Sequence, residues 1–232
     1  MQICPVCFWE DAPGESWYNN SNQVSLFNAQ ENFAEFGAVE RKYLNLVRVP
    51  HAEEARRPDW LSGNQLKAKI AGMIHVAFGD VLRDGGVSLY QSRALDDYAE
   101  EAEFKAAERK DPELRWQDIS SDKIEKFNIS LVFFDDKGFR FYLPAFMIFA
   151  LDSFEPTHGS MDADGVLFAT SDPHGFHKEH FAILNPSQME AVAAFLMFSH
   201  LFDQSQMSRN DARLLENFWR LHLPEFMKNH TI

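Results

Sequence analysis

The sequence predicts a mostly α-helical protein with a small β-hairpin, an α+β fold in which a short irregular module precedes a helical main domain. From residue 62 onward, apolar residues mostly recur with the 3.6-residue period of α-helices. Two short apolar segments, GVLFATS and HFAILN, are the best candidates for strands and are separated by a polar loop. The first 58 residues are polar, loop-rich and short of apolar periodicity.

The composition is that of a globular chain and excludes several classes of function. With 232 residues, of which 45% are hydrophobic and 25% are charged, the chain can bury a sizeable core. No apolar run approaches the ~20 residues of a membrane-spanning helix, and no secretory signal is present. The net charge of −13 argues against nucleic-acid binding by general electrostatics. We therefore expect a cytoplasmic protein that binds neither membrane nor nucleic acid.

The N-terminal module, residues 1–58, contains one predicted helix within VSLFNAQENFAEFGA. Ser25 is placed to cap this helix, and Gly37 is placed to end it. A charged run between two prolines, PHAEEARRPDW, then predicts a linker and a domain boundary near residue 60. The apolar residues that share one predicted helix face are Leu26, Ala29, Phe33 and Phe36.

The main domain, residues 62–232, begins with two predicted helices. In QLKAKIAGMIHVAFGDVL, the apolar residues from Leu66 to Val81 keep the helical period. The segment SRALDDYAEEAEFKAAERKDP predicts a single helix with Leu95 and Tyr98 on its apolar side. That arrangement turns the carboxylates of this segment to solvent.

The segment ISLVFFDDKGFRFYLPAFMIFAL admits two interpretations. Its DDKG sequence between apolar runs suits a β-hairpin turn. The apolar spacing on both sides instead favours two helices around a tight connection, and we prefer this interpretation. Pro144 would then kink the second helix or occupy its first turn. The dense aromatic stretch around Pro144 is interpreted as core and not as a ligand pocket.

The C-terminal part of the main domain contains two more predicted helices. NPSQMEAVAAFLMFSHLF opens with strong helix-start chemistry, because Asn185 can cap, Pro186 suits the first helical position and Gln188 completes a capping-box pattern. The last predicted helix runs through DARLLENFWRLH and stops before Pro224.

Cys4 and Cys7 form a C-x-x-C pair, and the chain has no other cysteine. Zinc takes four ligands in a tetrahedron, and such a turn supplies two of them. The sequence therefore contains half a metal site, and we predict a reduced pair without bound zinc in this chain. Zinc ligation stays an alternative, as does redox chemistry, although the thioredoxin-like βαβ pattern is missing.

Three histidines at spacings of three, His174, His177 and His180, lie in the segment PHGFHKEH. We interpret them as part of an exposed polar loop, with a metal site as the alternative.

Catalytic motifs are missing from the sequence, which contains no G-x-S-x-G, phosphate-binding glycine loop or H-E-x-x-H. The carboxylate pair Asp135–Asp136 is adjacent in sequence and is better explained by a turn than by acid/base chemistry. We therefore expect no enzymatic activity. For an enzyme of unrecognised type, the residues to inspect first are Asp172, His174, His177 and Glu179.

Two stretches rich in carboxylates are candidate partner-binding surfaces. Such surfaces attract basic partners and speed their encounter, although solubility alone also explains them. The predicted partner-binding residues are Asp96, Asp97, Glu100, Glu101, Glu103, Asp152, Glu155, Asp162 and Asp164.

The segment CPVCFWED, followed by SLFNAQENFAEFGAVERKYLNLVRVP, resembles the bacterial cysteine-rich CPCC family. Members usually carry a C-P-C-C knuckle upstream of this segment, and four cysteines then imply a zinc ribbon-like site. Cys4 and Cys7 map onto the second ligand pair, and the first pair has no counterpart in this chain. Either translation begins upstream of Met1, or this truncated module has lost its metal and kept its packing through Phe8 and Trp9.

Residues from about 65 to 222 resemble a second bacterial family, which has no assigned function. The resemblance lies in LDDYAEE, RWQDI, GFRFYLPAFM and FAILNPSQMEAVAAFL. Small acidic proteins of both kinds resemble companions of secreted polymorphic toxins. The resemblance implies an immunity protein that neutralises a cognate toxin domain, expected to be basic, through acidic surfaces. The alternative is a zinc-dependent structural or regulatory module with a helical ligand-binding domain.

Overall fold

A computed structural model describes residues 2–11, 22–55, 58–127, 130–154, 162–170, 173, 178–202 and 217–228. This part of the chain is mostly helical, and none of its helices is long and apolar enough to cross a membrane. The α-helices are α1 (Leu26–Phe36), α2 (Gly63–Phe78), α3 (Leu89–Asp96), α4 (Glu101–Ala107), α5 (Ser121–Lys126), α6 (Asp136–Ser153), α7 (Asp164–Thr170), α8 (Lys178–Ala182), α9 (Pro186–Phe202) and α10 (Glu225–Lys228). The 3₁₀ helices are Arg41–Tyr43, Ala52–Glu54, Glu108–Lys110, Trp116–Asp118, Ser130–Phe133 and Trp219–His222. The strands are β1 (Gln2–Ile3) and β2 (Glu10–Asp11), which pair antiparallel.

The predicted β-hairpin within GVLFATS and HFAILN is wrong. GVLFATS lies in α7, and HFAILN covers the end of α8 and the turn before α9. The Thr170 hydroxyl donates to the Val166 carbonyl oxygen at 2.8 Å, a contact across one helical turn. A short apolar run is compatible with a strand or with a buried helix, and packing against α6 decides for the helix here.

Helices α6 and α9 form the centre of the core because both are apolar on nearly every face. Helix α2 packs against both of them with its buried side. The interpretation of the aromatic stretch in α6 as core is confirmed. The buried residues of α2 are Gly63, Leu66, Ile70, Ile74 and Phe78.

The preferred helical interpretation of ISLVFFDDKGFRFYLPAFMIFAL is confirmed for its second half, which is α6. Its first half is shorter than predicted, since α5 ends at Lys126 and a 3₁₀ helix follows at Ser130–Phe133. Pro144 lies inside α6, beyond the first turn, and cannot donate to the Arg140 carbonyl group.

The predicted helix caps of α1 and α9 are confirmed. The Ser25 hydroxyl accepts from the Asn28 N–H at 3.1 Å, and Gly37 ends α1 with a φ of 89°. The Asn185 side chain accepts from the Gln188 N–H at 2.9 Å, and the Gln188 side chain accepts from the Asn185 N–H at 3.1 Å. These reciprocal bonds satisfy N–H groups that a helix start leaves without partners.

Gln188 also joins the three central helices at a buried position. Its Nε2 donates to the Ala77 carbonyl oxygen of α2 at 3.0 Å, while its Oε1 accepts from Arg140 Nε of α6 at 3.2 Å. The residue is 1% exposed, so water does not compete for these bonds.

Helix α1 contributes to the core of the main domain through Phe27, which is 1% exposed. The Phe27 ring lies 5.2 Å from the Phe154 ring and 4.9 Å from the Phe202 ring. It also lies directly over Gly63, where a Cβ atom would be 2.1 Å from the ring. The predicted helix face omitted Phe27, so that prediction was partly wrong. The boundary between residues 1–58 and 62–232 stays a prediction.

The predicted single helix over SRALDDYAEEAEFKAAERKDP is wrong, because the chain forms α3 and α4 with a turn between them. Its predicted apolar side does not pack, since Leu95 is 45% exposed and Tyr98 is 93% exposed. Two short helices can pack against each other, whereas one straight helix would hold these segments apart.

The end of the chain is only partly described. The predicted last helix begins at residues 211–216, which lie outside the described residues. Its second half forms the 3₁₀ helix Trp219–His222, with Trp219 buried. The sequence interpretation missed α10, a single turn that follows Pro224.

A buried ionic cluster connects the loop residues Arg83 and Asp111 to helices α3, α5 and α6. The Asp111 carboxylate is fully buried, lies 2.6 Å from Lys123 Nζ, and accepts from the Tyr90 N–H at 2.8 Å. Arg83 donates to the Asp111 carbonyl oxygen at 3.2 Å and to the Tyr142 hydroxyl at 3.3 Å. Burial of this kind is tolerated only when charges are paired and hydrogen-bonded.

The electrostatics of this cluster favour the charged form of Lys123. Burial alone lowers the pKa of Lys123, but hydrogen bonds to Asp111 and Glu113 outweigh it and raise the pKa above its usual value. The resulting stabilisation is therefore present at neutral pH and is lost only as the pH rises through that raised value. Burial also raises the pKa of Tyr142, so its hydroxyl stays protonated at neutral pH.

Replacing Phe27 by alanine should lower the free energy of unfolding by about 3–5 kcal/mol, because it leaves a cavity against Gly63, Phe154 and Phe202. Denaturant unfolding measures the change. The control is Val76→Ala, at an 86% exposed position of α2, which should cost no more than about 0.5 kcal/mol. Equal effects of the two variants would show that α1 is not part of the main core.

Replacing Asp111 by asparagine should lower the free energy of unfolding by about 3 kcal/mol, since it leaves Lys123 with one carboxylate partner in a buried place. Glu101→Gln is a matched control, because it removes one carboxylate from the exposed ion pair with Lys105. Exposed pairs contribute little, so the control should change stability by less than about 0.5 kcal/mol. A small loss for Asp111→Asn, similar to that of the control, would contradict a stabilising role of the cluster.

Candidate functional site: a surface around Tyr98

The turn between α3 and α4, residues 95–103 and here named the α3–α4 corner, presents an unusual surface. The Ala99 N–H donates to the Ala94 carbonyl oxygen at 2.8 Å, and the Tyr98 N–H donates to the Leu95 carbonyl oxygen at 3.1 Å. This pair of bonds is the Schellman arrangement that ends many helices. It places Tyr98 at the position that glycine usually occupies, with a φ of 54°.

Tyr98 combines backbone strain with exposure. A left-handed conformation costs a residue with a Cβ atom about 1–2 kcal/mol, a cost that glycine avoids. The side chain is 93% exposed, so packing does not compensate for this cost. Strained residues of this kind concentrate at functional sites.

Carboxylate residues precede and follow Tyr98 along the chain. Of the five predicted partner-binding residues here, four are exposed and Asp96 is half-buried. Arg93 Nε lies 3.1 Å from an Asp97 oxygen, and Lys105 pairs with Glu101. Two cations against five carboxylates leave the corner negative, and both pairs are exposed enough to exchange partners at little cost.

The second predicted acidic stretch is only partly described. Glu155 lies outside the described residues, as does the side chain of Asp164. Asp152 is exposed at the end of α6, and the Asp162 N–H donates to the Ser153 hydroxyl at 3.0 Å, which brings Asp152 and Asp162 to the same end of α6.

The 3₁₀ helix Ser130–Phe133 contacts the helices that lie next to the two acidic stretches in the sequence. It contacts α3, which leads into the α3–α4 corner, and α7, which begins at Asp164. The helices next to the two stretches therefore contact one common 3₁₀ helix.

A cavity of about 390 Å³ opens between this 3₁₀ helix, the start of α6 and α8. Asp135 accepts from the N–H groups of Gly138 and Val87 at 2.9 and 2.8 Å, so it serves as a cap, as the turn interpretation implied. The sequence interpretation missed that Asp135 and Asp136 border a cavity together with Glu179. The lining residues are Val132, Phe133, Phe134, Asp135, Asp136, Glu179 and His180.

His180 does not lie in an exposed loop, in contrast to the prediction. It is 5% exposed, its ring stacks on Phe139 at 4.4 Å, and its Nε2 lies 3.0 Å from the Phe134 carbonyl oxygen. These contacts use the imidazole in packing and in a hydrogen bond. Asp172, His174 and His177 lie outside the described residues.

The cysteine pair lies in a tight turn next to the β1–β2 pair, with both thiols half-buried and not joined by a disulfide. The Phe8 N–H donates to the Cys4 carbonyl oxygen at 2.9 Å, and the Cys4 N–H donates to the Trp9 carbonyl oxygen at 2.7 Å. Phe8 adopts a φ of 68° and its ring stacks on Tyr43 at 4.0 Å. The predicted packing role of Phe8 is confirmed.

The pKa of the Cys4 thiol lies below that of an ordinary cysteine thiol. Burial raises its pKa, but hydrogen bonds from the Val6 and Cys7 backbone N–H groups and from the Cys7 side chain outweigh burial and lower it. Such a turn fits two of the four positions around zinc. Among the described residues, no group of three or more His, Cys, Asp or Glu side chains is placed to hold a metal ion.

Comparison with known proteins finds two matches, one for each part of the chain. Residues 1–54 match the family described as Cysteine-rich CPCC. Residues 66–223 match the family of unknown function DUF6714. No curated protein and no solved structure matches the chain. Since the second match covers most of the sequence, the chain belongs to the DUF6714 family, with a CPCC-type segment at its N-terminus.

Proposed function

We propose that this protein is an immunity protein, which binds a cognate toxin domain of basic charge through the α3–α4 corner and holds it inactive. The observation that carries the proposal is Tyr98, an exposed aromatic side chain in a strained conformation, with carboxylate residues on both sides of it along the chain. The resemblance of both parts of the chain to companions of polymorphic toxins supports the same proposal.

The chemistry of the corner suits a protein partner. Tyrosine is enriched among the residues that dominate binding energy, and such residues are surrounded by polar groups that exclude water. Leu95, at 45% exposure, adds apolar area next to Tyr98. The carboxylates of Glu100, Glu101 and Glu103 complement a basic surface, accelerate encounter and disfavour acidic partners.

The expected partner is basic because toxins that act on nucleic acids or nucleotides need positive clefts to hold phosphates. An acidic protein that covers such a cleft competes directly with the substrate. The net charge of −13 adds long-range attraction to the short-range contacts of the corner.

A second candidate function is a zinc-dependent structural or regulatory module with a helical ligand-binding domain. The C-x-x-C turn favours the metal part of this candidate. The cavity bordered by Asp136 and Glu179 favours the ligand part, for which a small cation is the complementary chemistry. One zinc ion bound within each monomeric chain, measured on purified protein, would favour this candidate.

Tyr98→Gly should separate stability from binding. Glycine removes the left-handed strain, so the free energy of unfolding should stay equal or rise by up to about 1 kcal/mol. Protection against the toxin encoded by the neighbouring gene, measured as growth on co-expression, should be lost because the aromatic anchor is gone. The control is Leu221→Gly, at an 80% exposed position outside the corner, which should protect like wild type. A Tyr98→Gly protein that protects fully would contradict the role of Tyr98.

Reversing the charge of the corner should abolish protection. In the triple variant Glu100→Lys, Glu101→Lys and Glu103→Lys, we expect loss of growth protection and an association rate at least tenfold slower at low salt. The control carries the same charge change on exposed acids elsewhere, as Asp80→Lys, Asp118→Lys and Glu225→Lys. Equal protection by both triple variants would overturn the proposed surface, and a neighbouring gene product without toxicity would overturn the proposed function.

A further inference from the structure

The cavity at the start of α6 combines an apolar wall with negative charge. The apolar wall consists of Val132, Phe133 and Phe134. Among the described residues, no lysine or arginine lines the cavity. A concave surface of this composition attracts cations and repels anions. The negative charge comes from the three carboxylates that line it: Asp135, Asp136 and Glu179.

Two of these carboxylates use only one oxygen in the contacts of the fold. The N–H groups of Gly138 and Val87 both donate to Oδ1 of Asp135. The Lys137 N–H donates to Oδ1 of Asp136 at 3.0 Å. A carboxylate accepts hydrogen bonds on both oxygens, and within the described part of the chain Oδ2 of each accepts none. These oxygens are therefore available to a ligand.

The lysines that adjoin the cavity in the sequence do not neutralise it. Lys137 Nζ lies 3.2 Å from a carboxylate oxygen of Asp84 and is paired there. Lys178 Nζ lies 4.0 Å from Glu179, and both of these side chains are exposed. An exposed pair at this distance contributes little to stability, so a cationic ligand can take the place of Lys178.

The apolar wall is ordered by contacts inside the fold. The Phe134 ring stacks on Tyr142 at 4.8 Å. His180 Nε2 lies 3.0 Å from the Phe134 carbonyl oxygen and donates to it, because a carbonyl oxygen can only accept. Phe133 is half-buried, which leaves part of its apolar surface for a ligand. A wall that is ordered before binding loses little conformational entropy when a ligand binds.

The lining suits an organic cation better than a metal ion. A metal such as Ca²⁺ takes about six to eight oxygen ligands. Within the described ranges, no group of three or more His, Cys, Asp or Glu side chains is placed to hold a metal ion. The volume of about 390 Å³ instead lies in the range of small-molecule sites. An organic cation uses both parts of the lining, since carboxylates pair with its charge and aromatic rings attract cations and bury apolar groups.

We propose that this cavity binds a small organic cation. Its ammonium or guanidinium group pairs with Asp136 and Glu179, and its apolar body packs on Phe133. The proposal names the ligand class for the cavity of the second candidate function, but it requires neither zinc nor a toxin.

Three probes test the ligand class on the full chain. Benzylamine carries an ammonium group and an apolar ring, benzyl alcohol keeps the ring without the charge, and methylammonium keeps the charge without the ring. Calorimetric titration should give benzylamine a Kd of about 1 mM, as expected for a ligand of this size. The other two probes should each bind at least about tenfold more weakly, because each lacks one of the two contributions.

Amide chemical shifts locate the site. The N–H groups of Gly138 and Val87 bond to Asp135, so their resonances should shift as benzylamine is added. The N–H group of Gly37, at the end of α1, serves as the reference and should not shift.

A double variant tests the proposed charges. Asp136→Asn with Glu179→Gln removes two carboxylates from the cavity and keeps Asp135 with its helix cap. Benzylamine should then bind at least about tenfold more weakly, with an unchanged far-ultraviolet circular dichroism spectrum. The matched control, Asp118→Asn with Glu225→Gln, changes exposed acids that do not line the cavity, and it should bind benzylamine like wild type.

Equal binding of benzylamine and benzyl alcohol, or no saturable binding of benzylamine, would overturn the proposed ligand class. Equal Kd values for the two double variants, or unshifted N–H groups at Gly138 and Val87, would overturn the proposed site. If the cavity variant does not fold, the probe comparison and the shifts of the wild-type chain decide alone. These assays contain no toxin, so their failure leaves the proposed immunity function standing, and a failure of protection leaves the ligand site standing.

Discussion

The architecture depends on one constraint, that α6 and α9 are apolar on nearly every face and must be enclosed. An amphipathic helix can bury its apolar face against one neighbour, whereas α6 and α9 need neighbours on nearly every side to bury their apolar residues. Helix α2 covers both of them, and short helices close the remaining sides. The enclosure also draws in α1, because Phe27 fills a space that the later helices leave beside Phe154.

The polar groups inside the protein position the surface that we propose to be functional. The N–H group of Tyr90 in α3 is held by Asp111, and the carboxylate of Asp135 bonds the Val87 N–H just before α3. The start of α3 is therefore fixed by two carboxylates, of which Asp111 is buried and Asp135 is half-buried. These bonds fix the N-terminal end of the helix whose C-terminal end carries the strained residue Tyr98.

The sequence predicts those parts of the fold that depend on local chemistry. The caps at Ser25 and Asn185 follow from neighbouring groups, and the apolar content of α6 alone implies burial. The predictions fail where distant packing decides: α7 resembles a strand by composition, and the break after Asp96 depends on how α3 and α4 meet. For the candidate site, the acidic residues are visible in the sequence. The left-handed conformation of Tyr98 is not, because nothing local distinguishes it from a tyrosine within a helix.

The contact between Phe27 and Gly63 has a consequence for how such proteins evolve. The ring lies in the segment that matches the Cysteine-rich CPCC family, and the glycine opens α2, most of which lies in the segment that matches DUF6714, so this contact joins the two matched segments. Recombination that exchanges one of the two segments and keeps the other must preserve the fit between the side chain at residue 27 and the glycine at residue 63. A side chain at residue 63 would exclude the ring, and a small residue at 27 would leave an empty space. We therefore expect that lineages carrying both segments inherit the residues at positions 27 and 63 together.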